Sequence, residues 1–89
     1  MSNVFIAFQA NEDSRPVIEA ILEDNPNAVS SASPAMVKID CKDRLVIRRE
    51  SIESRIGRSF DLQEIQLSLI TLTGHLDEDD DQLTLSWKQ

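Results

Sequence analysis

The chain has 89 residues and a net charge of −7, with 40% hydrophobic and 28% charged residues. That balance fits one small folded domain and excludes a compositionally disordered chain. It also argues against nucleic acid and anionic membranes as partners, and no apolar run approaches the ~20 residues of a membrane span.

The first element is "VFIAFQ", residues 4–9. It is apolar on both alternating sets, which predicts a central strand covered on both faces. "NEDSRP" then opens a helix, with Asp13 or Ser14 as cap and Pro16 tolerated in the first turn. Val17, Ala20 and Ile21 form its apolar row, Ile18 and Leu22 widen it, and Glu19 and Glu23 face water. "DNPN" ends the helix, because a proline disfavours a helical residue before it.

Residues 28–31 predict a short edge strand, and Pro34 interrupts. Val37, Ile39 and Cys41 alternate with Lys38 and Asp40, the mark of a half-buried strand. Lys42 and Asp43 fit a two-residue hairpin link, after which Leu45 and Ile47 share one face. Cys41 reads as a core thiol, since neither a CxxC pair nor a nearby histidine supports reactivity. "RESIESRIGRSF" predicts a second short helix, capped at or just before Ser51 and stopped by Gly57. "FDLQE" has the spacing of a capping box, Asp61 with Glu64.

The next apolar pattern changes parity. Ile65, Leu67 and Leu69 share one face, and Ile70, Leu72 and Leu76 the other. A strand with one buried face needs an extra residue to do this, so a bulge or kink is expected near Leu69 and Ile70. Leu83, Leu85 and Trp87 alternate with Thr84 and Ser86 in a final strand, where Trp87 is expected to close the core. The acidic run Asp77, Glu78, Asp79, Asp80, Asp81 then lies between two strands and reads as a solvated hairpin loop. The whole is one domain over residues 1–89 and of the α+β class. It has two β-α-β-β-like halves, a mostly antiparallel sheet packed against two helices, and some similarity to ferredoxin-like topology.

Searches for chemistry fail in turn. Asp77, Asp79 and Asp81 match the start of a calcium loop, but Gln82 stands where glycine is needed and Lys88 where glutamate is needed. One histidine, His75, and one cysteine cannot build a usual transition-metal site. No GxSxG surrounds a serine, and two glycines cannot form a phosphate loop. Catalytic, metal and cofactor-binding residues are therefore expected to be absent. The readings left by the residues alone are an acidic protein-binding module and, less favoured, a small enzyme using carboxylates alone. The lone cysteine and the lack of a basic region before the first apolar run point to a cytoplasmic protein.

Six stretches together resemble one family: "VFIAFQ", "VIEAILEDNPNAV", "PAMVKI", "RRESIESRIGRSFDLQE", "LITLTGH" and "DEDDDQLTLSWK". Their order and spacing resemble the small regulatory, or effector, component of bacterial multicomponent phenol hydroxylases, akin to the coupling proteins of toluene and methane monooxygenases. The resemblance implies a cofactor-free protein that is not catalytic alone. It implies an oxygenase partner with a diiron centre, which hydroxylates phenol with electrons from NAD(P)H. A separate reductase with FAD and an iron–sulfur cluster delivers them and competes or exchanges with the effector. Against that background the polar loop 24–36 is expected to dock, through Asn25, Asn27, Ser30, Ser33 and Met36. Residues 38–58 carry +3 in an otherwise acidic chain, so Arg44 and Arg48 are expected to meet acidic oxygenase surface.

Overall fold

The computed structural model describes residues 3–87. In chain order the elements are β1 (Asn3–Gln9), α1 (Arg15–Asp24), β2 (Val29–Ala32), β3 (Met36–Lys42), β4 (Arg44–Arg48) and α2 (Arg49–Ile56). A 3-10 helix (Leu62–Leu67), β5 (Leu69–Thr73), β6 (His75–Glu78) and β7 (Gln82–Ser86) complete them. The strands pair antiparallel in two sheets, β2-β3-β1-β5 and β4-β7-β6. This is the α+β class the pattern predicts. β1-α1-β2-β3 forms the first expected half, and the second gains an extra strand. The strands divide between two sheets where one was expected.

β1 sits between β3 and β5, as its doubly apolar sequence requires. Val4, Ile6 and Phe8 enter the core, and Ala7 is buried on the other side. α1 buries Val17, Ile18, Ala20 and Ile21, the row that helical spacing marked. Ser14 stands at its N-cap position but does not cap through its side chain. Its hydroxyl donates instead to the Gln9 carbonyl at 2.6 Å, tying the helix start to β1. α2 begins at Arg49, so Ser51 lies inside it, and Gly57 ends it at φ +72°.

The link at Lys42 and Asp43 is not a hairpin. β3 lies in the four-stranded sheet and β4 in the other, so Asp43 alone, at φ +69°, carries the chain between sheets. Gly74 does the same between β5 and β6, at φ +121°. A side chain there would start 3.0 Å from Val4 Cγ1 and 3.2 Å from the Ser86 carbonyl oxygen, so it would crowd both and strain the backbone. Consecutive strands with compatible alternation look like a hairpin locally; the sheet each joins is set by distant partners.

The parity break has its expected cause. Ala7 pairs with Thr71 and Phe8 with Leu69, leaving Ile70 as the extra residue of a bulge. Ile65 and Leu67 belong to the 3-10 helix, so the strand starts only at Leu69. The capping box is present: Gln63 N–H donates to Asp61 Oδ1 at 2.9 Å and Asp61 N–H to Glu64 Oε2 at 3.0 Å. The acidic run is split, with Asp77 and Glu78 ending β6 and the other three aspartates in the turn. Trp87 does not close the core. Its side chain is 43% exposed and its Nε1–H donates to the Asn3 carbonyl at 2.9 Å.

Candidate docking surfaces

Asn25 lies at the end of α1 and is buried. Its Nδ2 donates to the carbonyls of Ile21 and Val46, both at 2.7 Å, and its Oδ1 accepts from Val46 N–H at 2.9 Å. β4 is an edge strand, and this amide meets its outer donor and acceptor as a neighbouring strand would. The side chain expected to touch a partner is therefore spent inside the fold. Of the other expected loop residues, Asn27, Ser30 and Ser33 are exposed and Met36 is half-buried. They are not a loose loop: β2 and β3 form a hairpin turned at Ser33 and Met36, where Ser33 Oγ donates to the Met36 carbonyl at 3.1 Å.

Most of the basic segment is engaged within the chain. Arg49 lies 2.9 Å from Asp81 and 3.8 Å from Glu53, Arg55 3.4 Å from Glu19 and 3.1 Å from Glu23, and Arg58 3.4 Å from Glu64. The Glu64 carboxyl is held below its ordinary range by the Asp61 N–H and then by the Arg58 guanidinium. Arg44 and Arg48 differ: both are exposed and form no ion pair among the described residues. They flank Val46 on the outer side of β4, while Leu45 and Ile47 point into the core.

A third surface was not anticipated. The face of the four-stranded sheet opposite the core carries Phe5, Lys38 and Asp40, with Lys38 Nζ 4.4 Å from the Phe5 ring centroid. Val29 lies across from Asp40 on this face and is 63% exposed. The bulge turns Ile70 outward at 47% exposure, and Leu67 just before it is 80% exposed. Val29 and Ile70 stand on strands at opposite edges of this sheet, with Lys38 and Asp40 on a strand between, so they are separate exposed apolar groups and not one apolar patch. The signal was in the parity break, since a bulge re-aims the side chain it inserts.

The titratable groups elsewhere among the described residues stand apart or pair with one another. Among the described residues no three His, Cys, Asp or Glu could hold a metal ion. A cleft of about 450 Å³ between α1, α2 and the 3-10 helix has Phe8, Val17, Phe60 and Ile65 in its wall, and its Arg58 and Glu64 pair with each other. Burial pushes the Cys41 thiol up, away from the reactive thiolate. His75 Nε2 and Asp77 Oδ1, 3.0 Å apart, are exposed side chains on a strand edge.

This arrangement of scaffold and outward surfaces has relatives. The MmoB/DmpM family model matches residues 2–86. The chain belongs to the MmoB/DmpM family. As a member it is 51% identical over 87 residues to the stimulatory component DmpM of phenol 2-monooxygenase from Pseudomonas sp. (strain CF600), covering 98% of this chain and 97% of that one. It is 47% identical to a chain in a structure of the phenol hydroxylase–regulatory protein complex, with a TM-score of 0.94 over 98% of this chain and 100% of that chain. The soluble methane monooxygenase regulatory protein B shares the MmoB/DmpM fold at 15% identity and a TM-score of 0.77, over 97% of this chain and 65% of that one.

Proposed function

We propose that this protein is the cofactor-free regulatory component of a phenol hydroxylase. It docks on the diiron oxygenase component and stimulates and couples hydroxylation of phenol. The observation that carries this reading is the likeness, over essentially the full length of both chains, to a chain of a phenol hydroxylase–regulatory protein complex. The whole chain acts as one regulatory domain in the cytoplasm, a setting that suits a lone buried thiol. The redox groups belong to its partners: a diiron centre in the oxygenase, FAD and an iron–sulfur cluster in the reductase.

Such a protein acts by binding one oxygenase conformation more tightly than another, and its leverage equals that difference. A 100-fold preference corresponds to about 2.7 kcal/mol. The contacts we assign to docking are Asn27, Ser30, Ser33 and Met36 on the β2–β3 hairpin, Val29 on the outer sheet face, Ile70 on the β5 bulge, and Arg44 and Arg48 on β4. The test is phenol hydroxylation by purified oxygenase and reductase, with this protein titrated in. Saturable stimulation is expected, with no turnover by the protein alone. A cognate oxygenase that ignores it would sink the reading.

A further inference from the structure

The two sheets end in four edges, those of β2, β5, β4 and β6. Three are guarded against pairing with another chain. The Asn25 amide covers β4, the bulge at Ile70 interrupts β5, and Asp77 and Glu78 put charge on β6. β2 has none of these devices. Val29, Ser30, Ser31 and Ala32 are all exposed, uncharged and in unbroken register with β3.

The free groups on this edge can be named. Ser33 and Met36 exchange both backbone hydrogen bonds, at 2.8 and 3.4 Å. Antiparallel pairs alternate between bonded and non-bonded. Counting back through the register, Val29 and Ser31 bond to β3, and Ser30 and Ala32 turn their N–H and C=O to the open side.

We propose that the oxygenase supplies an extended segment that pairs with this edge, so the four-stranded sheet becomes five-stranded in the complex. The inference rests on the effector reading above and names its main-chain contact. The charge disfavours a second copy of this chain, and two features of the edge suit an incoming strand. Each copy carries −7, so two copies repel. Val29 belongs both to this edge and to the outer sheet face, across from Asp40, so a partner seated on that face reaches the edge. Ser30, Ser31 and Ala32 are small enough to let another backbone approach.

Hydrogen exchange on this protein, free and with saturating oxygenase, tests the pairing, with stimulation measured in the same samples. The Ser30 and Ala32 amides are expected to slow at least about ten-fold in the complex, because each gains a main-chain bond. Ser30→Pro and Ala32→Pro each remove one outward N–H and no bond to β3. Each is expected to keep the melting temperature within a few degrees and to raise the apparent Kd for the oxygenase about ten-fold. Stimulation without protection at these amides, or proline variants that bind like the parent, would overturn the edge pairing and leave the effector reading intact. Absence of both binding and stimulation would overturn the effector reading itself. Protection that grows with concentration of this protein alone, with a doubled sedimenting mass, would assign the edge to a second copy and overturn the proposal. If a proline variant does not fold, exchange in the parent protein decides.

Discussion

Asn25 and Asn27 stand two apart in one polar stretch, yet only Asn25 is buried, with its amide joining α1 to β4. Local sequence does not separate them, because the partner of Asn25 is Val46, 21 residues further on. Asn25→Ala would strand the Val46 N–H and C=O in a place sheltered from water, while the Ile21 carbonyl keeps its bond from the backbone N–H of residue 25. The expected loss is about 3 kcal/mol in urea unfolding. A loss under ~1 kcal/mol would mean that water replaces the amide. Trp87 was misplaced for a related reason: alternation put it on the core face, but β7 ends at Ser86 and the indole folds back over Asn3. Trp87→Phe removes one bond from a half-exposed ring. About 1 kcal/mol is expected, and the parent should emit like a water-exposed indole. A buried-type emission spectrum would contradict the placement.

Elements with a local code were legible. The capping box, the Gly57 stop, the central strand and the bulge were all written in residues at short spacing. Sheet membership was not, because pairing partners such as Leu45 and Leu85 are distant in sequence and any half-buried strand suits either sheet. The two crossings between sheets are therefore where local reasoning failed, and they are also where the backbone is least forgiving. Gly74→Ala combines an unfavourable φ with contacts at 3.0 and 3.2 Å. It is expected to cost about 2–3 kcal/mol by thermal or urea unfolding. Gly57 has open space and a φ of +72°, close to the left-handed region that L-residues can enter, so Gly57→Ala is expected to cost less, about 1 kcal/mol. Equal losses would mean that crowding at Gly74 is relieved by movement of Val4.

At the scale of the molecule, acidity is the dominant charge and Arg44 with Arg48 the cations left outside ion pairs on β4. If they meet acidic oxygenase surface, the attraction falls as the Debye length shrinks from about 10 Å at 0.1 M salt to about 3 Å at 1 M. The apparent Kd for stimulation is expected to rise several-fold over that range, and Arg44→Gln with Arg48→Gln to remove most of the rise. A flat salt response would take these arginines out of the docking surface. The composition made this electrostatic asymmetry readable. Which arginines remain free was not, because the acidic partners of Arg49 and Arg55 come from the β6–β7 turn and from α1.

The last strand in chain order, β7, is the middle strand of its sheet, with β4 on one side and β6 on the other. A ribosome delivers β4 and β6 before the strand that joins them. Until Gln82–Ser86 emerges, Leu45, Ile47 and Leu76 have no pairing partner, and the Arg44–Arg48 strand has no sheet to hold it. The four-stranded sheet needs nothing from β7 for its own strand pairing. Nascent chains thus carry the β2–β3 hairpin first and the ordered arginine strand last, so a molecule still being made cannot present the complete set of contacts proposed for docking.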